Sequence, residues 1–286
     1  DYKIQQNESV LDRLLRGGAP LDFSCRKGSC HTCLLQAKRG NPGEAAQRNL
    51  RPELIETNHF LPCIAHPEDD LEVVGPDLSV LTLDAVVASR EKASPSVVKL
   101  LIEPEIQLHW TPGQHLSLYR EDDLVRSYSI ASLPLDDHFL ELHVQRVDNG
   151  AMSTWLHDEV SEGDFLKLQG PLGDCTYRPE FKERELVLLG TGTGVAPLWG
   201  IVRDALAQGH QGKINLYHGA RTRAELYLHD DLLDLDDRYD HFNYVPCVSR
   251  DDAHPGAASG RVTDIAFANG ADYKGAVVYL CGNPDM

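Results

Sequence analysis

The sequence predicts a multidomain chain of mixed α+β and α/β class: a small cysteine-bearing α+β module, then an antiparallel β-barrel, then a parallel-sheet α/β domain. Three observations carry this expectation. Cysteines at Cys25, Cys30, Cys33 and Cys63 spell C-x4-C-x2-C-x29-C. From about 80 to 180 the chain runs in short apolar-alternating stretches broken by Pro and Gly, the texture of an antiparallel barrel. From Glu185 onward a wholly apolar run, Leu186-Val187-Leu188-Leu189, enters a glycine-rich turn and then an amphipathic stretch near 197–208, as a buried parallel strand and its helix would. The expected domains are residues 1–75, 80–181 and 182–286.

Each element follows from local pattern. Residues 2–6 alternate like a strand, and Asn7 or Ser9 can cap a helix whose Val10, Leu11, Leu14 and Leu15 share one face until Gly17-Gly18 ends it. The cysteine loop follows at 23–33, with Gly28 placed where the backbone must fold tightly and aim its amides at sulfur. Leu71-Glu72-Val73 reads as a strand, and Val74-Gly75-Pro76-Asp77 as the link out of the module. Barrel strands are expected at 81–87, 97–102, 115–119 and 140–147. In the last domain 214–218 reads as a second strand, 277–280 as a buried one, and the acidic run 229–240 as the solvated face of a helix rather than a docking site.

Composition narrows the function classes. The 42% hydrophobic and 25% charged residues are those of ordinary globular protein, and 286 residues suffice for two or three cores. No apolar run approaches the roughly 18 residues of a membrane span, and nothing at the start reads as a signal peptide, so a cytoplasmic location is expected. Because the chain opens at Asp1, a preceding leader stays open. Forty-four acidic residues against 27 basic ones, a net −17, argue against a nucleic-acid surface. The charge is uneven: residues 1–73 hold 9 Lys/Arg and 11 Asp/Glu. Arg26 and Lys27 lie in the cysteine loop itself, which suits an acidic electron acceptor or, more simply, a solvated loop.

The cysteine spacing is that of a plant-type [2Fe–2S] cluster, with three thiolates in one loop and Cys63 closing the cage. Zinc competes, because four thiolates suit a tetrahedral site, but zinc sites usually come as two C-x2-4-C knuckles and only one is present. Disulfides rank lower still, since Cys175, Cys247 and Cys281 are scattered singly and make the total odd. The 13 histidines, His31 in the loop included, read as surface or core residues rather than ligands.

Two further constellations suggest phosphate and flat-ring binding. Gly190-Thr191-Gly192-Thr193-Gly194-Val195-Ala196-Pro197 follows the buried strand and opens a helix, so its amides and the helix N-terminus suit a pyrophosphate. It departs from G-x-G-x-x-G at Ala196 and Pro197, so the dinucleotide reading needs support from its neighbours, with a ligand-free turn as the less favoured alternative. Upstream, Arg126-Ser127-Tyr128-Ser129 sets a guanidinium fork, an aromatic ring and a hydroxyl on one short segment. Gly150-Ala151-Met152-Ser153-Thr154 then starts a helix whose amides could hold a second phosphate. Either is ordinary turn-and-cap chemistry alone; together, upstream of the glycine turn, they point to two nucleotides.

These motifs, with Gly170-Pro171-Leu172-Gly173 and the terminal Cys281-Gly282-Asn283-Pro284, resemble the ferredoxin–NADP reductase superfamily. With the cysteine module in front, the whole chain resembles the iron–sulfur flavoprotein reductases that serve oxygenases, hydroxylases and deoxysugar dehydrases. The resemblance implies a β-grasp ferredoxin domain, an antiparallel β-barrel flavin domain and a parallel-sheet nucleotide domain. It implies FAD with Arg126 on its pyrophosphate or ribityl chain, Tyr128 against the isoalloxazine and Ser129 near its reactive nitrogen. His143, Val144 and Gln145 would line the adenosine side, and Met152, Ser153 and Thr154 the pyrophosphate. Gly192, Thr193 and Gly194 would meet the nicotinamide nucleotide, and Cys281 would shape the nicotinamide pocket without acting as a nucleophile. Tyr128, Ser129 and Cys281 are thus the expected catalytic group.

NADH is the expected donor by resemblance, although Arg221 and Arg223 in Gly219-Ala220-Arg221-Thr222-Arg223 could accept the 2′-phosphate of NADPH, and Glu225 lies close by. The expected activity is hydride transfer to FAD, then single electrons through the cluster to a protein partner such as an oxygenase, hydroxylase or dehydrase. Two rivals stand beside it: a self-contained flavin oxidoreductase acting on small oxidants, and a zinc-stabilised binding module without redox role. The resemblance further implies a strand before Tyr2 and a helix and tail after Met286, as if the chain were cut at both ends.

Overall fold

The computed structural model describes all residues except 1–7, 22, 24, 49, 77–81, 123, 251–255, 269–271 and 284–285. The strand expected at 2–6, the Asn7 cap, Asp77 of the first link and Pro284 lie outside the described residues. The chain packs as two compact units, one of Asp1–Ala85, His115–Ser127 and Leu166–Gly173, the other of Val86–Gln114, Tyr128–Phe165 and Asp174–Met286.

The N-terminal part of the first unit holds α1 (Val10–Arg16), β1 (Leu35–Arg39), α2 (Pro52–Glu56), β2 (His59–Phe60) and β3 (Glu72–Val74). Ser9 caps α1, its hydroxyl accepting from the Asp12 amide at 3.1 Å, and Gly17 with left-handed Gly18 ends it as the pattern predicts. The three strands form an antiparallel sheet in the order β2-β1-β3. Along β1, Leu35 and Ala37 are buried between less buried neighbours, and they pack with Val10, Ala46, Phe60 and Ala65 into one small core.

The alternating middle of the sequence becomes six antiparallel strands: β4 (Leu83–Ser94), β5 (Val97–Pro104), β6 (His115–Tyr119), β7 (Val125–Ser129), β8 (Leu140–Gln145) and β9 (Phe165–Leu172), with α3 (Ala151–Asp158) between the last two. The run β7-β6-β9 belongs to the first unit, apart from the end of β7 and the first residue of β9, and there Leu118 faces Leu168 across β6 and β9. In the second unit β5 pairs with β8 in register from Val97↔Gln145 to Ile102↔Leu140. The sequence located β4, β5, β6 and β8 and did not separate β9.

The rest of the second unit is a parallel sheet, β13-β12-β11-β10-β14, made of β10 (Leu186–Thr191), β11 (Ile214–Ala220), β12 (Phe242–Val248), β13 (Ala258–Ser259) and β14 (Val277–Cys281). Its helices are α4 (Val195–Ala207), α5 (His229–Arg238) and α6 (Val262–Ala266). Leu186 to Leu189 of β10 are fully buried, as a strand covered on both faces must be. Helix α4 buries Val195, Leu198, Ile201, Val202 and Ala205, while α5 buries Leu232 and Leu235 and turns its acids outward except Asp236, which accepts from the Tyr244 amide. Strand β14 differs from its expectation. Only Tyr279 is buried, while Val278 and Leu280 are 43% and 60% exposed, because among the described residues nothing covers that face. No helix among the described residues is long and apolar enough to cross a membrane.

Candidate functional site

The cysteine loop is shaped by three left-handed residues, Arg26, Gly28 and His31, at φ 53°, 76° and 56°. They turn successive amides inward. The amides of Lys27, Ser29 and Cys30 all donate to Cys25 Sγ at 3.4 Å, and the Cys25 amide donates to Cys30 Sγ at 3.5 Å. Burial pushes the Cys25 thiol up, but these donors outweigh it and hold the group below its ordinary value. Cys33 and Cys63 form a second pair. The Cys33 thiol donates to Cys63, which, with the Gly28 amide and the Arg48 charge and against burial, brings Cys63 down to about 7. The same bond, with burial, drives Cys33 up. Gly28 suits its left-handed φ of 76°, and a Cβ there would lie 2.5 Å from Ile64 Cδ1, next to Cys63, so the tip of that side chain would have to shift.

Two thiol pairs ringed by amides fit a core with two irons and two thiolates at each. Among the described residues no three His, Cys, Asp or Glu side chains converge as one tetrahedral metal ion would require. His31 is buried, and desolvation together with His115 and Arg51 lowers it to about 4, so it is a neutral core group.

Strand β7 presents Arg126 to solvent and keeps Tyr128 and Ser129 half-buried; the Arg126 guanidinium donates to the Val125 carbonyl at 2.6 Å. On β8 the outcome is mixed. His143 is enclosed, with Nε2 2.5 Å from Glu141 Oε1 and Nδ1 2.9 Å from the Tyr227 hydroxyl, and Val144 is fully buried. Neither side chain can reach a ligand, so only Gln145 presents one, and β8 otherwise offers backbone. Burial outweighs Glu141 and lowers the His143 pKa, keeping the ring neutral. At α3 the side chains of Met152 and Ser153 are buried, and the Ser153 hydroxyl closes the preceding turn, accepting from Val147 N and donating to the Gly150 carbonyl, both at 3.1 Å. What this helix start can offer an anion is its first-turn amides rather than those side chains.

The glycine turn and the end of β14 interlock. Gly190 stands in register with Cys281, and a Cβ on Gly194 would lie 2.1 Å from the Cys281 carbonyl oxygen. One on Gly282 would lie 2.0 Å from Thr191 Oγ1, which instead accepts from the Asn283 amide at 3.0 Å. Gln145 lies against the same turn, its Oε1 2.7 Å from where a Gly192 Cβ would stand. The structure thus brings Gln145, Gly192, Thr193, Gly194 and Cys281 together. Burial, then Cys175, pushes the Cys281 thiol up to about 11, so it is uncharged at neutral pH. Sequence reasoning quoted Thr191 and Gly282 within motifs without giving either a role of its own, and missed Tyr227, which carries no local signal because its role depends on β8 folding beside it.

Three family descriptions cover the chain in order: a 2Fe-2S iron-sulfur cluster binding domain over residues 1–68, an oxidoreductase FAD-binding domain over 84–177 and an oxidoreductase NAD-binding domain over 188–286. The reductase subunit of an aromatic O-demethylase from Amycolatopsis sp. is 33% identical, covering 99% of this chain and 88% of its own. The chain belongs to the iron–sulfur flavoprotein reductases. The reductase component of the naphthalene 1,2-dioxygenase/salicylate 5-hydroxylase systems of Ralstonia sp. is 30% identical over 99% of this chain and 87% of that protein. Among solved structures, the Amycolatopsis cytochrome P450 reductase matches with TM-score 0.71 at 32% identity, over 100% of this chain and 89% of that one. The ferredoxin reductase of carbazole 1,9a-dioxygenase shares the fold, with TM-score 0.68 at 24% identity, over 98% and 86%. This reductase is therefore an NAD(P)H-dependent oxidoreductase whose cofactors are a [2Fe–2S] cluster, FAD and a nicotinamide nucleotide.

Proposed function

We propose that this reductase takes electrons from NADH and delivers them singly, through the cluster held by Cys25, Cys30, Cys33 and Cys63, to an oxygenase or hydroxylase component. The observation that carries the reading is the pairing of the four cysteines, Cys25 with Cys30 and Cys33 with Cys63, on a chain that also carries FAD- and NAD-binding regions. The relatives support the partner class, being named as reductase components of dioxygenase, hydroxylase and monooxygenase systems. The three-domain division 1–75, 80–181 and 182–286 is part of the same proposal; the family matches fall within its bounds.

Bound flavin accepts two electrons together as hydride and releases them one at a time, which is the chemistry a nicotinamide donor and a one-electron cluster need. The chain's task is to hold and orient. Arg126 binds the flavin phosphate or ribityl chain, the Tyr128 ring packs on the heterocycle and Ser129 donates toward its reactive edge. Gln145, the β8 backbone and the first-turn amides of Met152, Ser153 and Thr154 receive the rest of the dinucleotide. Gly192, Thr193 and Gly194 bring amides to the nicotinamide nucleotide's phosphates, and the neutral Cys281 thiol shapes the ring's seat. Glu225 supports NADH: its Oε2 accepts from the Arg221 and Thr222 amides at 3.0 and 3.2 Å as part of a capping box, which brings a carboxylate to the end of β11 where a ribose diol would be held.

Anaerobic titration tests this. NADH should bleach both the flavin and the iron–sulfur absorbance, and NADPH should do so only at much higher concentration. Cys63→Ser should lose the iron–sulfur signal and delivery to a protein acceptor while NADH still reduces the flavin. A colourless protein, or full delivery by Cys63→Ser, would sink the reading.

A further inference from the structure

Strand β6 reads His115-Leu116-Ser117-Leu118-Tyr119, and Ser117 is the anomaly in it: a hydroxyl with no exposure, between two equally buried leucines. Burying a hydroxyl is unfavourable unless it finds partners. Its partners are specific. Ser117 Oγ donates to the carbonyl of Cys30 at 3.4 Å and lies 3.4 Å from Ser127 Oγ, which in turn lies 3.3 Å from Thr32 Oγ1. All four residues belong to the first unit. Each contact is long for a hydroxyl bond, yet the set closes a ring of polar groups around the buried half of the cysteine loop.

The placement is directional. Cys30 and Cys33 are the buried thiols of the four, Cys25 and Cys63 the half-exposed ones. The hydroxyls reach only the buried half, at Cys30 and at Thr32 beside Cys33. Ser127 sits between Arg126 and Tyr128 on β7. One hydroxyl thus joins the strand assigned to the flavin to the segment carrying the inner thiolates.

We propose that Ser117 and Ser127 are positioning residues: they fix Cys30–Cys33 relative to the Arg126–Ser127 segment of β7, within the first unit, and thereby set the rate at which single electrons pass from flavin to cluster. The inference rests on the flavin role proposed for Arg126. In the step one electron leaves the reduced flavin and enters the oxidised cluster, and no bond forms or breaks in either serine. The serines hold distance, on which such a step depends steeply; a misplacement of about 1 Å can cost an enzyme roughly 100-fold in rate.

The test uses the holoprotein with full flavin and iron content, mixed anaerobically with NADH in a stopped-flow instrument that resolves flavin reduction from cluster reduction. Ser117→Ala and Ser127→Ala should leave the flavin phase as in the wild type and slow the cluster phase about tenfold. Hydrogen–deuterium exchange of the resting proteins should show faster exchange at residues 29–33 in both variants, and Ser127→Thr should restore both readouts. Thr32→Val removes the opposite hydroxyl while keeping its shape, and serves if a serine variant loads poorly. Cluster phases within about twofold of wild type, unchanged exchange at 29–33, or a Ser127→Thr protein as slow as Ser127→Ala would each overturn the proposal. Absence of any flavin phase in the wild type would instead overturn the functional reading beneath it.

Discussion

Gly194→Ala isolates how the nucleotide turn is built. Gly194 has φ −61°, so alanine meets no backbone strain there, and any cost must come from space. The added Cβ would lie 2.1 Å from the Cys281 carbonyl oxygen, 2.5 Å from its carbon and 2.8 Å from Gly282 Cα. Carbon contacts settle near 3.5 Å, so the turn and the end of β14 must part by about 1 Å or more. Both are backbone, and β14 is tied to β10 along the register Leu186↔Val277 to Gly190↔Cys281, so neither yields by a rotamer change. A cost of about 3 kcal/mol follows from overpacking at a rigid site. That lowers the melting temperature of the unit by about 6–12 °C. NAD⁺ binding should weaken at least tenfold, about 1.4 kcal/mol, because the parted turn no longer aims its amides. Gly192→Ala is the control: its Cβ meets only the Gln145 Oε1 tip, 2.7 Å away, although φ +53° adds about 1 kcal/mol of strain. Calorimetric melts and isothermal titration with NAD⁺ read both variants. A Gly194→Ala protein that melts and binds like wild type, or better than Gly192→Ala, would refute the reasoning.

Gly28→Ala combines a left-handed φ with contact on Ile64, and should cost about 2 kcal/mol and lower iron content per chain, read by melting and by iron analysis; full loading and an unchanged melt would count against it. His218 is fully buried and lowered to about 3, by burial and then by His229, so the native state excludes a proton that the unfolded chain binds below about 6.5. Its effect on stability is therefore absent at neutral pH and destabilising as pH falls from about 6.5 toward 3, reaching about 2 kcal/mol at pH 5. Urea midpoints at pH 7 and pH 5 should diverge less in His218→Phe than in wild type, and equal divergence would argue otherwise. Cys281, pushed up to about 11, should resist iodoacetamide at pH 7.5, and rapid alkylation found there by mass spectrometry would contradict its raised pKa.

Much of the fold was legible because it rests on local rules. Ser9 and Gly17 bracket α1, the alternation at 97–102 and 115–119 became β5 and β6, and the apolar run at 186–189 became the buried heart of β10. The candidate site was legible only where a motif is contiguous: the cysteine loop, Arg126 to Ser129, and the turn at 190–197. It was less so where burial decides. His143 and Val144 sit on the expected strand, but Glu141 and Tyr227 enclose the histidine, and Tyr227 is distant in sequence.

By itself the sequence determined the chemistry: four thiolates at a spacing that wraps an iron–sulfur core, a glycine turn for a dinucleotide, and a cation, ring and hydroxyl in one short segment. Ligand identity depends on residue type and short-range spacing, and both are written along the chain. Only the tertiary structure decided which thiols pair, which pair member is buried, and that Gly194 and Gly282 are required by the approach of Cys281 and Thr191. It also decided that Ser117, unremarked in an apolar strand, faces the carbonyl of Cys30. Such relations arise where segments far apart in sequence are pressed to within a few ångströms by a close-packed interior, and no local pattern encodes that approach.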